Sequence, residues 1–296
     1  MRKAAVLLVS TAVMLLFIGG ILTQSLVIMQ RVAAVRDVKG IVWVRARGSA
    51  QFLPLADAAR VGAGDVIRTS GNGGLALEWI DGTRVRIGPN TLMTVLKSQV
   101  NRATSAETAI FKLDIGRIWV RVLKVLSQKS KFEVHTPTAT AGVRGTVFSV
   151  AVDPHGQTTV SVKEGQVVLA AGGQSREIGR DQMIRAGGPE SGVSGLSPAE
   201  AGLWRENEAV ARPRLDIAGP ASGDSVSPGQ SLEVTGCSEV GAVVTVSGKR
   251  AETGVAGRFS ATIAVPPDAK GDFEIAVSAV DARGYETKKA LTLRVR

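Results

Sequence analysis

The chain predicts an all-β architecture, and three observations carry that reading. Short β-branched runs follow one another at intervals of roughly eight to twelve residues. Thirty-four glycines punctuate those runs. Between residues 35 and 187 no helix-length amphipathic segment interrupts them. Together they predict a roll, barrel or sandwich, and they exclude βαβ units and a nucleotide-binding sheet.

Two further elements frame the β body. Arg2 and Lys3 precede an apolar run, residues 4–22, broken only by Ser10 and Thr11, and apolar residues resume after Ser25. A bilayer needs about 20 apolar residues, so residues 4–28 predict a single transmembrane helix. Val32-Ala33-Ala34 offers the alternative of a cleaved export signal. Only Met1-Arg2-Lys3 precedes the run, and a short basic head before an apolar stretch is how export signals begin. The body is therefore expected outside the cytoplasm, held at the inner membrane through residues 4–28.

Net charge is +10, of which +9 falls within residues 31–190, whereas residues 213–296 are neutral. A basic surface favours acidic partners. In the expected compartment these are an envelope protein or an acidic envelope polymer, not nucleic acid. The single cysteine, Cys237, cannot form an intrachain disulfide, and reads as a small buried residue.

Along the body, residues 40–47, 75–80, 83–87, 110–113, 118–125, 146–152, 158–162 and 166–169 read as strands. Asp81-Gly82 joins two of them as a hairpin turn with both residues at positive φ. Gly187-Gly188-Pro189 opens a linker. Ser197-Pro198-Ala199-Glu200 then predicts a capped helix running to about Ala211, before Pro213. At least five strands after Leu215 predict a small sandwich. The expected organisation is an anchor or signal at 1–30, a β domain at 35–187, a linker with a short helix at 188–213 and a sandwich at 214–296.

Several phrases occur in order in the first β domain: Gly64-Asp65-Val66-Ile67-Arg68-Thr69, Ile80-Asp81-Gly82-Thr83, Ile87-Gly88-Pro89-Asn90-Thr91, Leu113-Asp114-Ile115-Gly116-Arg117, and Thr136-Pro137-Thr138-Ala139-Thr140-Ala141-Gly142-Val143-Arg144-Gly145-Thr146. On them the domain resembles the periplasmic domain of FecR-family proteins. The C-terminal part is similar to a bacterial Ig-like sandwich, on Gly241-Ala242-Val243-Val244-Thr245-Val246 and Gly257-Arg258-Phe259-Ser260. The first resemblance implies a roll or barrel-like fold and an envelope-located interaction domain. Well-known FecR proteins relay the state of a ferric-siderophore or ferric-citrate receptor to an extracytoplasmic-function sigma factor through a cytoplasmic N-terminal domain. Here only three residues precede the apolar run, so such signalling is expected to need a separate partner.

Binding candidates come from two places. Arg144, between two glycines, either presents a charged fork to a carboxylate or phosphate, or closes a turn by bonding local carbonyls or Asp65. Trp43, Arg45 and Arg47 alternate on one strand and so share a face, as do Arg84 with Arg86, and Arg117 with Trp119 and Arg121. Such faces either stack glycans and hold acidic polymers or are solvated sheet surfaces. Catalysis is not expected. His135 and His155 lack metal-ligand spacing and an evident nucleophile partner, and no catalytic, metal or cofactor residues are assigned.

Overall fold

Gly116 sits where a single long strand changes partners, and this corner organises the first part of the molecule. In the computed structural model, residues 28–123, 129–188, 192–254, 257–282 and 284–296 are described. The expected membrane segment 4–28 falls outside them except for Ile28, which opens strand Ile28–Gln30 opposite Asn101 instead of continuing a helix. Among the described residues no helix is long and apolar enough to cross a membrane. Packing divides the chain into two units, residues up to 77 with 85–196, and residues 78–84 with 197–296.

In the first unit, strand Ala106–Arg121 belongs to two sheets. Its leading half pairs antiparallel with Leu92–Asn101 and parallel with Lys131–His135. Its trailing half, from Gly116, pairs antiparallel with Val147–Val152. One sheet runs in order Leu53–Pro54, Val42–Arg45, Val66–Thr69, Leu92–Asn101, Ala106–Arg121, Lys131–His135, Thr140–Val143, Val167–Ala171, Gln174–Ile178. The other continues from Val147–Val152 through Thr158–Glu164 and Gln182–Ala186 to Val193–Gly195. The strands wrap into a closed, barrel-like roll. Its interior holds Ile67, Met93, Phe111, Leu113, Ile118, Phe148 and Val160, all fully buried.

Three expectations change here. The strands expected at 110–113 and 118–125 are one strand as far as Arg121, and residues 124–128 lie outside the described residues. Gly116, at φ 96°, bends the strand rather than ending it. At the Asp81-Gly82 turn only Gly82 has positive φ. The Trp79 N–H donates to the Thr83 carbonyl at 3.0 Å and the Gly82 N–H to the Trp79 carbonyl at 3.0 Å. That is a longer turn with a glycine bulge, held by Asp81 accepting from Thr83 Oγ1 at 2.8 Å. The expected linker at 188–213 is also not linker throughout. Residues 193–195 add a strand beside Gln182–Ile184, while residues 189–191 lie outside the described residues.

The second unit begins its helix as its capping signal requires. Ser197 Oγ accepts the Glu200 N–H at 3.2 Å, and Pro198 opens helix Pro198–Glu206. The helix stops a turn earlier than expected. Asn207 leaves helical geometry and its side chain bonds the Leu203 carbonyl at 2.8 Å, after which Glu208–Val210 form a 3₁₀ turn. A four-stranded sheet of Leu215–Gly219, Ser231–Ser238, Arg258–Ala264 and Glu252–Thr253 shares one core with a five-stranded sheet. The latter comprises Ser225–Val226, Glu286–Val295, Gly271–Val280, Val243–Val246 and Lys249–Arg250. Val234, Val244, Phe259, Ile275 and Leu293 fill that core. Cys237 is half-buried rather than buried, because alternation along Ser231–Ser238 turns Val234, Gly236 and Ser238 inward instead.

Opposite Cys237 stands Asp216. Burial alone would raise its carboxyl pKa. The Arg214 guanidinium at 2.6 Å, helped by Lys289 at 3.4 Å, outweighs burial and holds the pKa below the usual carboxylate range. A carboxyl depressed in the fold stabilises above its unfolded pKa of about 3.9 and loses that contribution as pH falls. Asp216→Asn should therefore lower the melting temperature at pH 6. The gap from the parent should close as pH falls toward 3, and a constant gap would refute the linkage.

Candidate functional site

The exposed face of the first sheet gathers aromatic rings and arginines. Trp43 pairs with Arg68 on one neighbour and with Pro54 on the other. Alternation sets Arg45 on the same face as Trp43 and turns Val42 into the core. Arg68 projects outward between buried Ile67 and Thr69. Its guanidinium lies 4.6 Å from the Trp43 ring centroid and 4.5 Å from that of Phe52. Arg45 lies 5.2 Å from the Phe52 centroid. Among the described residues neither guanidinium has a carboxylate partner. Each stacking contact contributes about 0.5–1 kcal/mol at such exposure. More importantly, the rings fix two charges whose donors remain available.

Arg47 does not join this cluster. The strand ends at Arg45, and Arg47 sits in the following turn. Its N–H donates to Asp65 Oδ1 at 2.9 Å, while Asp65 Oδ2 accepts the Gly62 N–H at 2.9 Å. The Arg47 stem covers Gly64, where a Cβ would come within 2.7 Å of Arg47 Cγ.

Arg144 stands apart as well. Four strands separate Thr140–Val143 from Val42–Arg45, or about 24 Å across the sheet. Arg144 is exposed in the turn after Val143, with Gly145 at φ 62°. Among the described residues its side chain forms no hydrogen bond or ion pair. The turn is held by Thr146 Oγ1, which reaches the Arg144 carbonyl at 3.2 Å and the Gln166 carbonyl at 3.0 Å. Asp65 is engaged by the N–H groups of Arg47 and Gly62.

The other two basic faces are corrected. Arg84 is bound to Glu78 at 2.5 Å and donates to the Ala209 carbonyl at 3.1 Å. Trp119 and Arg121 are only 5% and 1% exposed, because the trailing half of Ala106–Arg121 is covered on both faces. Sequence reasoning missed Arg68 and Phe52. Arg68 was legible as an outward residue by alternation, but its place opposite Trp43 depends on pairing between strands that are not adjacent in sequence.

A second recess, an open cleft of about 610 Å³, lies at the edge of the roll. Thr138, Leu169, Gln174, Arg176, Arg185 and Gly188 line it, with no carboxylate among the described lining residues. Beside it Thr158 Oγ1 bonds the hydroxyls of Thr136 and Thr138, each at 2.7 Å.

The histidines are placed as follows. His135 Nε2 lies 2.8 Å from Glu133, which also holds Lys131 at 2.9 Å. Burial raises the Glu133 carboxyl, but those two partners bring it below its ordinary range. His155 is exposed in a turn, its N–H bonded to Asp153. Among the described residues no three His, Cys, Asp or Glu side chains are grouped to hold a metal. Taken together, the arrangement of Trp43, Arg45, Phe52 and Arg68 is suited to grip an anion.

Comparisons with known proteins bear on the first unit. The family model described as FecR protein matches residues 65–168. No curated protein matches the chain. Two solved structures of a candidate anti-sigma factor from Parabacteroides distasonis are similar at 13% identity, each covering 55% of this chain. The match covers 76% of one of those chains and 77% of the other, with TM-scores of 0.38 and 0.39.

Proposed function

We propose, from the FecR domain at residues 65–168, that this chain is a membrane-anchored extracytoplasmic binding protein that recognises an acidic envelope partner. One observation carries the reading: Arg45 and Arg68 are held over Trp43 and Phe52 without a compensating carboxylate among the described residues. A pre-positioned guanidinium pair loses little side-chain entropy when it takes up a carboxylate or phosphate, whereas a flexible lysine pair loses more. The role is recognition, without a chemical step. Residues 4–28 anchor the chain at the inner membrane with its body outside, and nucleic acid is not a partner in that compartment.

The test is retention of the detergent-solubilised full chain on isolated envelope material at low and at physiological salt. Arg45→Glu with Arg68→Glu should weaken retention about tenfold or more, and raised salt should weaken the parent in the same direction. Retention equal to the parent at both salts would overturn the reading. The family match favours a second reading, FecR-type signalling through a separate membrane partner to a sigma factor. The same double variant at the native locus separates the two. A changed sigma-dependent transcript set supports signalling, and an unchanged one leaves binding alone.

A further inference from the structure

The first described residues enter the sheet beside a hairpin tip. Strand Ile28–Gln30 runs antiparallel to Leu92–Asn101, with Ile28 opposite Asn101. Asn101 closes the hairpin that leads into Ala106–Arg121. The tip and the start of the sheet are thus one strand spacing apart, about 4.8 Å. Asn101 Oδ1 accepts the N–H groups of Ala103 at 3.0 Å and Thr104 at 3.1 Å, which sets the tip's shape and leaves residues 102–105 exposed.

From this tip back along strand Leu92–Asn101 as far as Leu96, about 17 Å, the surface is apolar and basic. Ile28, Met29, Val32 and Leu96 are 44%, 40%, 46% and 41% exposed. The strand is bulged at Leu96, since Lys97 lies opposite Ile110 while Val95 lies opposite Phe111. The bulge leaves Leu96 and Lys97 both exposed. Lys97 and Arg102 supply charge, and the nearby carboxylate of Glu107 is held by Arg31 at 3.0 Å.

We propose that Ile28, Met29, Val32, Leu96, Lys97 and Arg102 dock on the anionic phospholipid surface from which the chain emerges. The proposal rests on the reading of residues 4–28 as a membrane anchor. If apolar sequence continues to residue 28 and the sheet starts there, no spacer separates them. The headgroup layer is about 5–8 Å deep on each side of the hydrocarbon. A tip one strand away cannot clear that layer. Exposed aliphatic groups beside lysine and arginine suit it, because the former enter the acyl boundary while the latter meet anionic headgroups.

The test uses the full chain, with Cys237→Ser, reconstituted into two kinds of vesicle. One is phosphatidylcholine alone and the other has about a third phosphatidylglycerol. A single cysteine replaces Ala103, or Ser175 as control, and carries a fluorophore against a headgroup-tethered quencher. Quenching at position 103 should exceed that at 175 severalfold and should rise with phosphatidylglycerol. Lys97→Glu with Arg102→Glu should reduce the docked-to-undocked ratio in anionic vesicles by at least about thirtyfold. Equal quenching at 103 and 175 in chains that resist carbonate extraction overturns docking while sparing the anchor. Quenching at 103 that ignores both lipid charge and the double variant also overturns it. Extraction of the parent by carbonate removes the anchor itself, and the docking proposal with it.

Discussion

Replacing Gly116 by alanine is expected to destabilise the first unit by about 3–5 kcal/mol, enough to unfold a domain of ordinary stability under mild denaturant. Two costs combine. Gly116 has φ 96°, a region that a Cβ penalises. The added Cβ would also come within 2.5 Å of Thr91 Cα and closer still to Thr91 Oγ1. That hydroxyl accepts the Arg117 N–H at 3.1 Å and donates to the Pro89 carbonyl at 3.1 Å, so moving it breaks the corner where the long strand changes sheets. Denaturant unfolding of the full chain measures the loss. Thr91→Ala should restore only part of it, because the Thr91 backbone stays in place. Full rescue, or a midpoint unchanged in the single variant, would show that the corner does not need glycine.

Phe111→Ala should cost about 3–5 kcal/mol through lost burial and the cavity left behind. Phe111 is fully buried, with its ring centroid 5.3 Å from that of Phe132. Phe132 in turn meets Phe148 edge-on at 6.2 Å and 89°. These three rings come from three strands, Ala106–Arg121, Lys131–His135 and Val147–Val152, so the cluster ties the two sheets together. The melting transition of the first unit should fall by roughly 6–20 °C. Phe111→Leu, nearer in volume, should cost less than about 1.5 kcal/mol. Phe111→Ala with Phe148→Ala should depart from additivity by about 0.5–1.5 kcal/mol, since both rings pack on Phe132. A Phe111→Ala loss under about 1 kcal/mol would mean that the cavity collapses without consequence.

Much of the strand content was legible because its signals are local. Residues 243–246 and 147–152 alternate or run apolar within a few residues, and the helix start at Ser197-Pro198 is written in four. Strands Leu92–Asn101 and Gln174–Ile178 are not legible in the sequence, for a physical reason. Lys97, Ser98 and Gln99 in the first, and Gln174, Ser175, Arg176 and Glu177 in the second, are polar residues that take their strand geometry from neighbours. Arg121 misled in the opposite direction. Its alternation with Arg117 and Trp119 suggests a solvated face, yet the end of that strand, Ile118–Arg121, is buried on both faces and Arg121 is 1% exposed.

By itself, the sequence determined that the chain is β-rich, where its helix is capped, where glycine must turn the backbone, and that Trp43 and Arg45 share a face. These depend on dihedral preferences and on a period of two, which act between near neighbours along the chain. Only the tertiary structure decided that Arg68 and Phe52 complete that face, that Arg47 leaves it for Asp65, and that four strands separate Arg144 from it. Those outcomes depend on register between strands distant in sequence. Register is set when the whole sheet buries its apolar side at once, and no local stretch of residues contains that information.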